Sequence, residues 1–302
     1  MRKLAVLLFI INAFAGRAQI LLQDVYQGPG NSSPDFEVLS NQAVLFAATT
    51  QEYGRELWIT QGSCEQSTLL LDIFPGTAGS DPEQLTRIGS LVYFTANDGI
   101  NGHELWVTDG TVSGTRMIRD IYAGAFGSAP QSFVQAVDFV YFSAIDAGIG
   151  REIWRTNGTE AGTQLVKDVQ PGPAWGFGIS DEMVVYKDSL FFSVFDFNTG
   201  ESLWKTAGTP ASTVLVKDYS TGGCIQLYVY NNLLLQTVSD ATHGFELWRS
   251  DGSTAGTYLI KDINPGTGDG LTGDEDFEQF GSFLYFPAND GVNGKELWRT
   301  DG

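Results

Sequence analysis

A tryptophan that recurs at nearly equal intervals constrains the fold of this chain more than any other feature of its sequence. Successive copies are 48, 48, 50, 44 and 50 residues apart, with a glycine four residues before and four residues after each of them. An aspartate follows the first five copies at a constant interval of fourteen residues. The six tryptophans are Trp58, Trp106, Trp154, Trp204, Trp248 and Trp298. Self-similarity of this length predicts one supersecondary unit per copy, stacked against its neighbours to bury a shared core.

Each unit is predicted to contain four short β-strands. In the second copy, apolar and β-branched runs cover residues 83–88, 91–96, 103–108 and 115–121, with turn residues between them. Short strands separated by regular turn signals are typical of all-β proteins. Four strands in a unit of this length match a propeller blade better than a solenoid coil. The sequence therefore predicts an all-β fold, a β-propeller of six four-stranded blades.

The two ends of the chain supply the strands that would close such a ring. Residues 20–25 resemble a fourth strand, with Asp24 at the position that Asp72 occupies in the first unit, and the chain ends at Gly302 after a third strand. An N-terminal strand that completes the last blade removes exposed sheet edges. We therefore expect residues 19–302 to form a single β-propeller domain. The competing interpretation is that Gly302 is an artificial end, since it divides an Asp-Gly-Thr turn, and that more blades or a tail follow.

The repeated tryptophans and aspartates are interpreted as scaffold, because a catalytic group is needed once whereas a packing group is needed in every blade. The indole rings are expected to fill the core between neighbouring blades. The aspartates are expected to hydrogen-bond the Pro-Gly loops that follow them. These aspartates are Asp24, Asp72, Asp120, Asp168, Asp218 and Asp262. Backbone N–H groups of the glycine turns are the expected donors to the recurring glutamates Glu56, Glu104, Glu152, Glu246 and Glu296.

The first eighteen residues have the pattern of a cleaved signal peptide. Arg2 and Lys3 precede an apolar run over residues 4–14, and Gly16 and Ala18 supply the small residues of a cleavage site after Ala18. The run is shorter than the ~20 residues that span a bilayer, which disfavours the alternative of a membrane anchor. We expect a secreted or cell-surface protein without membrane insertion.

The mature chain is strongly acidic. Removal of residues 1–18 leaves 14 basic and 36 acidic residues, a net charge of −22. Such a surface repels nucleic acids and anionic lipids but is compatible with Ca²⁺ and with neutral sugars. The two cysteines, Cys64 and Cys224, fall about three blades apart, too far for a disulfide. Two free, largely buried thiols are expected.

The residues around each tryptophan resemble a known bacterial repeat. Residues 104–111 are Glu-Leu-Trp-Val-Thr-Asp-Gly-Thr, and residues 246–253 are Glu-Leu-Trp-Arg-Ser-Asp-Gly-Ser. On this motif, residues 20–302 resemble the ELWxxDGT repeat proteins. The copies depart from it at Gln61 and Ala207 for the aspartate, Ser202 for the glutamate and Ile153 for the leucine. The resemblance implies an exported protein and no defined activity for the repeat itself.

Single-copy features are the candidate functional residues, because the scaffold explains the repeated ones. Trp175 and Phe177 lie on a Gly- and Pro-rich loop of the fourth unit, and Trp175 is the only tryptophan outside the repeat. They are candidates to stack on the ring of a sugar ligand. The alternative is that they fill a local gap.

Clustered carboxylates give a second candidate, a calcium site. Asp269, Asp274 and Asp276 lie in one acidic loop of the sixth unit, with hard oxygen ligands of the kind that Ca²⁺ prefers. The alternative is a solvated acidic face. The turns that contain Asp98 and Asp290 also carry oxygen donors, but each offers one carboxylate, which favours an ordinary Asx-type turn.

No catalytic constellation is recognisable. His103 and His243 are the only histidines and occupy different repeat positions, and no nucleophile elbow, phosphate loop or Cys-x-x-Cys motif occurs. The expected function is a non-enzymatic, secreted or cell-surface scaffold, a monomeric domain with a binding or adhesion face for a glycan or protein ligand. Two alternatives stay open: a polysaccharide-active hydrolase or lyase with an acidic site in the propeller funnel, and a structural array within a larger surface protein. No cofactor other than the candidate Ca²⁺ is predicted.

Overall fold

The computed structural model describes residues 32, 35–40, 43–62, 67–172, 179–196, 200–219, 222–273 and 275–302. Within these ranges 23 β-strands form five four-stranded sheets and one three-stranded sheet, and the strands within each sheet pair antiparallel. The prediction of an all-β fold built from four-stranded sheets is confirmed. The described part of the chain contains no helix with the length and apolar character needed to cross a membrane.

The sheets follow one another along the chain. The first sheet contains β1 (Asp35–Ser40), β2 (Ala43–Thr50), β3 (Gly54–Thr60) and β4 (Thr68–Leu71). The second contains β5 (Glu83–Ile88), β6 (Leu91–Asn97), β7 (His103–Thr108) and β8 (Arg116–Arg119). The third contains β9 (Gln131–Ala136), β10 (Phe139–Asp146), β11 (Gly150–Thr156) and β12 (Gln164–Leu165). The fourth contains β13 (Ile179–Tyr186), β14 (Ser189–Asp196), β15 (Gly200–Thr206) and β16 (Val214–Asp218). The fifth contains β17 (Gly223–Tyr230), β18 (Leu233–Asp240), β19 (Gly244–Ser250) and β20 (Tyr258–Lys261). The sixth contains β21 (Glu278–Phe280), β22 (Phe283–Asn289) and β23 (Lys295–Thr300).

The second and third strands form the centre of each four-stranded sheet, and this position explains their composition. β6 has the sequence Leu-Val-Tyr-Phe-Thr-Ala-Asn and is buried at five consecutive positions. A strand that is covered on both faces carries a continuous apolar run instead of an alternating one. β5, on the sheet edge, is more polar and has no fully buried residue.

The glycine four residues after each tryptophan closes the turn between the third and fourth strands. Gly208 has a φ of 91°, in the left-handed region that other residues avoid. A Cβ atom on Gly208 would lie 2.6 Å from the hydroxyl oxygen of Tyr141, which belongs to the preceding sheet. The glycine therefore makes the turn and also lets it pack closely against the neighbouring sheet.

Neighbouring sheets pack face to face in the order of the sequence. The first strand of each sheet lies beside the first strand of the next, from β1 through β5, β9 and β13 to β17. Five apolar clusters each join two consecutive sheets. In one of them, Leu45 and Leu57 of the first sheet meet Phe94 and Trp106 of the second. The first strands of the first five sheets therefore lie side by side in the order of the sequence.

The repeated tryptophans lie in these interfaces between sheets. Trp154 is 4% exposed, and the Arg119 guanidinium of the preceding sheet lies 5.7 Å from its ring centroid. Lys217 of the fourth sheet lies over the ring of Trp248 in the fifth at 5.7 Å. The basic residue that precedes a repeated aspartate thus covers the indole of the next sheet, a cation–π contact that links the two sheets.

The sixth sheet differs from the others because the described chain supplies only three of its strands. β23 forms its edge, and Leu297 on this edge is 74% exposed, whereas Leu247 at the same position of the fifth sheet is 2% exposed. The closing strand predicted from residues 20–25, with Asp24, lies outside the described residues, as do the predicted signal peptide and Cys64.

Candidate functional site

In the first, second, third and fifth sheets, a buried glutamate at the start of the third strand accepts hydrogen bonds from the loop that leads to the next sheet. Glu104 in β7 is fully buried, and its carboxylate accepts hydrogen bonds from the backbone N–H groups of Ile121 and Tyr122, both at 3.0 Å. The backbone N–H and the hydroxyl of Ser128 donate to the same carboxylate at 2.9 and 2.5 Å. Ile121, Tyr122 and Ser128 belong to the loop that leads from β8 to β9, so Glu104 fixes the entry of the chain into the next sheet.

The first sheet repeats this arrangement, and the fifth departs from it. Glu56 accepts hydrogen bonds from the N–H and hydroxyl of Ser80 at 2.9 and 2.6 Å. In the fifth sheet Gly270 stands at the position of that serine, and one oxygen of Glu246 is buried without a partner in the described part of the chain. Glu152 in the third sheet likewise has one buried oxygen for which the described residues, which leave out 173–178 of its loop, supply no partner. The hydroxyl donor is therefore a feature of the first two linkages.

Burial controls the protonation of these carboxylates. It raises the pKa of Glu104 to about 7 against the opposing effect of the four hydrogen bonds. It raises the pKa of Glu152 to about 8, where fewer donors oppose it. Burial raises the pKa of Glu56, Glu201 and Glu246 in the same direction. Loss of a water-exposed environment disfavours the charged form of a carboxyl group. The linkages between sheets are therefore sensitive to pH near neutrality.

Three of the repeated aspartates, Asp72, Asp120 and Asp262, directly follow the end of a fourth strand. Asp262 lies directly after β20, and its Oδ2 accepts a hydrogen bond from the N–H of Gly266 in the Pro-Gly loop at 3.2 Å. The other oxygen of Asp262 is buried without a partner among the described residues. This aspartate therefore holds the loop with one oxygen and directs the second into the sheet interface.

The turns between the second and third strands are held by an aspartate. Asp290 Oδ1 accepts the backbone N–H groups of Val292 and Asn293 at 2.9 and 2.7 Å. These hydrogen bonds from Asn293 and Val292 lower the pKa of Asp290. Asp98 makes the same bonds to Ile100 and Asn101. Both carboxylates are thus engaged by their own turns, as an Asx-type turn requires.

The fifth sheet contains a buried polar cluster that has no counterpart in the other sheets. Gln236 stands twelve residues before Trp248, where the other repeats have a phenylalanine. Its side-chain oxygen accepts a hydrogen bond from the hydroxyl of Tyr219 and lies 3.7 Å from Sγ of Cys224. Burial raises the pKa of Cys224 well above its ordinary value. Sequence reasoning missed this cluster, although a glutamine in a column of phenylalanines was a visible signal.

The predicted free thiol of Cys224 is present and buried. The predicted ligand-stacking residues Trp175 and Phe177 and the predicted metal ligand Asp274 lie outside the described residues. Asp269 Oδ1 accepts the backbone N–H of Phe245 at 2.9 Å.

The remaining predicted calcium ligand, Asp276, is exposed. Among the residues that the structure describes, no three His, Cys, Asp or Glu side chains are grouped so that they could hold a metal ion. With Asp274 outside these residues, the calcium site stays a prediction.

The two histidines do not assemble a nucleophile. His243 Nδ1 lies 2.9 Å from Asp240 Oδ2 and 2.9 Å from Thr242 Oγ1, all within one turn. The hydrogen bond with Asp240 raises the pKa of His243, and the pKa of Asp240 is lowered to about 2 by its hydrogen bonds, against the effect of burial. In the described ranges no serine or cysteine side chain hydrogen-bonds to this imidazole, so the pair serves the turn.

The exposed side chains of the first strands define a second candidate surface, which we call the inner ring surface. Its exposed members are Asp35, Phe36, Glu83, Gln84, Arg87, Gln135, Glu182, Val229, Glu278, Gln279 and Phe280. Gln84 has a φ of 58°, a left-handed conformation that is uncommon for a residue other than glycine. It lies at a register shift between β5 and β6, and such bulges re-aim side chains.

The same backbone feature recurs in the third sheet, where Ser132 has a φ of 60°. It lies between the two paired residues of β9, Gln131 and Val134, where the register with β10 shifts. Backbone strain of this kind is concentrated at functional sites. The inner ring surface therefore combines four acidic side chains, one basic side chain (Arg87), amide and apolar side chains, and strained backbone.

Comparisons with known proteins identify the fold. No family model and no curated protein matches this chain. Among solved structures, one from a study of two prolyl endopeptidases matches with a TM-score of 0.52 and 12% identity, over 89% of this chain and 41% of its own length. A puromycin-hydrolyzing peptidase of Mycobacterium tuberculosis matches with a TM-score of 0.50 and 11% identity, over 94% of this chain and 48% of its own length. The matched regions are β-propeller domains, and this chain spans less than half the length of either neighbour.

These matches correct the functional prediction made from the sequence. The expected non-enzymatic surface scaffold with an adhesion face, and its glycan-active and purely structural alternatives, are contradicted by neighbours that are peptidases. The prediction that the chain is not an enzyme has no support from them either. The physical reason is that a repeated core motif specifies how the sheets pack. It carries no information about the chemistry of a functional site. In fold, this chain is similar to the β-propeller domains of prolyl endopeptidases and puromycin-hydrolyzing peptidases.

Proposed function

We propose that this chain is the propeller part of a peptidase-related protein, and that its inner ring surface handles a peptide substrate while a separate unit cleaves the bond. The observation that carries the proposal is the pattern of coverage. The peptidase neighbours match 89% and 94% of this chain but only 41% and 48% of their own lengths, so more than half of each neighbour lies outside the match. The engagement of His243 with Asp240 and Thr242 supports a non-catalytic role for the described residues.

The charge of the inner ring surface suggests the class of peptide. Of the five exposed charged side chains described on the first strands, four are acidic (Asp35, Glu83, Glu182 and Glu278) and one is basic (Arg87), and the whole chain has a net charge of −19. A cleft lined by one sign of charge concentrates ligands of the other sign. The proposed substrates are extended peptides with positive net charge, held by exposed carboxylates and by the edges of the first strands.

Binding of labelled peptides by fluorescence anisotropy tests this proposal. A proline-containing peptide with lysines is expected to bind more tightly than a matched peptide with glutamates, with affinity that falls as salt is raised. The double variant Glu83→Gln/Glu182→Gln should weaken binding, whereas Glu160→Gln, an exposed carboxylate in a turn between third and fourth strands, should not.

The same preparation is then tested for catalysis. A chromogenic prolyl peptide and a fluorophosphonate label for reactive serines are both expected to give no signal with this chain alone. Cleavage or labelling would overturn the assignment of the chemistry to a separate unit. Equal binding of the basic and acidic peptides, or no binding at all, would overturn the peptide-handling role.

We further propose that six blades close into a ring through residues 20–25, which add to β23 as the missing fourth strand. The exposed edge of β23 supports this, together with a cavity of about 70 Å³ beside it that is lined by Leu247, Ile263, Phe286 and Trp298. In the fifth sheet, Arg249 pairs with Tyr258 four residues before the repeated Asp262. If Asp24 occupies the position of Asp262, Ile20 corresponds to Tyr258. Because Arg299 corresponds to Arg249, Ile20 would then lie opposite Arg299.

A pair of introduced cysteines tests this register. Oxidation of the double variant Ile20→Cys/Arg299→Cys should give a cross-link, found by peptide mapping. Ile20→Cys/Arg249→Cys is the matched control, because Arg249 already pairs with Tyr258 and should give none. No cross-link in the first variant, or equal cross-linking in both, would contradict the closure.

The signal peptide remains part of this proposal. Cleavage after Ala18 would leave Gln19 as the first residue, one position before the proposed closing strand. The ELWxxDGT resemblance supports export in the same way. Mass measurement of the mature N-terminus in the producing cell tests it, and an intact residue 1–18 segment would contradict it.

A further inference from the structure

Four of the six repeats contain a buried hydrogen-bond donor and a buried acceptor that have no partner among the described residues. The donor is the indole Nε1 of the repeated tryptophan, and the acceptor is Oδ1 of the aspartate fourteen residues later. The pairs are Trp58 with Asp72, Trp106 with Asp120, Trp154 with Asp168, and Trp248 with Asp262. The four tryptophans are between 4% and 9% exposed. A buried polar group without a hydrogen-bond partner lowers the stability of the folded state by about 1–3 kcal/mol. Four repeats with the same unpartnered donor and acceptor therefore require an explanation.

The strand geometry places donor and acceptor on the same side of one hairpin. Glu104 and Trp106 are two residues apart in β7 and therefore share a face of the sheet. Leu105 pairs with Arg119 across the hairpin, which puts Asp120 opposite Glu104. In the fourth sheet, the corresponding residues Ser202 and Asp218 pair directly across β15 and β16.

The fourth repeat acts as an internal control. Ser202 occupies the position of the glutamate, and the Nε1 of Trp204 donates a hydrogen bond to its hydroxyl at 3.0 Å. Trp204 is accordingly not among the unpartnered donors. The indole N–H of the repeat thus points toward the strand position two residues earlier. In the second repeat, Glu104 at that position is turned to the linking loop and is occupied by its four donors.

The ligand that fits between the tryptophan Nε1 and the aspartate Oδ1 must both accept and donate a hydrogen bond. The indole N–H requires an acceptor, and Oδ1 of the aspartate requires a donor. A metal cation cannot accept from the N–H, and an anion would be repelled by the carboxylate. We propose that a single water molecule binds in each of the four repeats, accepting from the tryptophan Nε1 and donating to the aspartate Oδ1. Buried waters of this kind are integral parts of folded proteins.

This assignment accounts for the interval of fourteen residues from tryptophan to aspartate in the four repeats that would hold a water. A longer or shorter turn would change the register of the hairpin and separate the donor from the acceptor. The two oxygens of Asp262 then have separate tasks: Oδ2 holds the N–H of Gly266, and Oδ1 holds the water.

Cross-relaxation between water and the indole N–H protons, measured by NMR, tests the proposal. Transfer from a long-lived water is expected at Trp58, Trp106, Trp154 and Trp248 and is not expected at Trp204. Asp120→Ala should remove the transfer at Trp106, leave it at Trp154, and speed exchange of the Trp106 indole proton about fivefold, as loss of one hydrogen bond implies. Asp120→Asn keeps an acceptor and should preserve the transfer. Asp218→Ala is the matched control and should change none of the four.

A crystal structure of the unmodified chain gives an independent readout if Asp120→Ala does not fold. Water within hydrogen-bond distance of both atoms, in all four repeats, is the expected result. A direct bond between Nε1 and Oδ1 with no water, or a dry interface, would overturn the proposal. So would transfer at Trp204 of the same strength as at the other four.

Discussion

Replacing Glu104 with glutamine isolates the competition between burial and hydrogen bonding that controls the linkage between the second and third sheets. The carboxylate accepts four hydrogen bonds, which favour the charged form, and it is fully buried, which favours the neutral form. Burial dominates and places the pKa of Glu104 at about 7. Glutamine has the same shape and cannot ionise, so it reports what the titration of Glu104 contributes.

Proton linkage determines whether the free energy of unfolding rises or falls with pH. Between pH 4.5 and about 7, the folded protein holds a proton on Glu104 that the unfolded chain releases. The contribution to stability is therefore complete below pH 4.5 and is lost as the pH rises through about 7. Raising the pKa from 4.5 to about 7 corresponds to about 3 kcal/mol. The free energy of unfolding of the unmodified chain, minus that of Glu104→Gln, should fall by about 3 kcal/mol across this range.

Urea unfolding at closely spaced pH values between 4.5 and 8.5 measures this difference. Glu160→Gln, at an exposed carboxylate, is the control and should leave the pH profile of the unmodified chain unchanged. A difference that stays constant over the range, or that grows with pH, would refute the reasoning. It would mean that the four donors keep Glu104 ionised in spite of its burial.

Two further predictions concern packing and reactivity. Gly102→Ala should lower the free energy of unfolding by about 3 kcal/mol, because Gly102 has a φ of 71° and the new Cβ would lie 2.5 Å from the backbone nitrogen of Gly127. Gly89→Ala, at a φ of 64° with no atom within 4 Å of the added carbon, should cost only about 1 kcal/mol, and equal losses in urea unfolding would contradict the role of the close approach. Cys224 should resist iodoacetamide in the folded chain and react in step with urea unfolding, because its thiol is buried and its raised pKa keeps it protonated. Rapid labelling of the Cys224 peptide under native conditions, followed by mass spectrometry, would contradict this.

Much of the fold could be predicted because the hydrophobic pattern is local and is repeated six times. The strands predicted over residues 83–88 and 103–108 match β5 and β7 residue for residue. The predicted fourth strand over residues 115–121 is shorter in the structure, where β8 covers Arg116–Arg119. Its ends turn away to form the adjoining loops, one of which is held by Glu104. The position at which a strand ends depends on packing and hydrogen bonds with other parts of the chain. A local sequence pattern does not contain this information.

The candidate site was less accessible to sequence reasoning. The buried cluster of Tyr219, Cys224 and Gln236 joins residues from two consecutive sheets, and no spacing rule connects them. The strained conformation of Gln84 arises from a register shift, which composition does not reveal. The functional prediction was wrong because the repeat encodes packing, whereas the similarity in fold to solved peptidase structures is visible only in the arrangement of the sheets.

The sequence by itself determined the strand class, the number of repeats and the residues that recur in every interface, because side-chain periodicity and turn glycines act over a few residues. Only the tertiary structure decided which carboxylates are buried, so that their pKa is raised, and that β23 lies at the edge of the sixth sheet among the described strands. These properties depend on atoms that are distant in the chain and become neighbours only when one sheet packs against the next. Burial of a charge, unlike the alternation of a strand, is a property of the assembled interface.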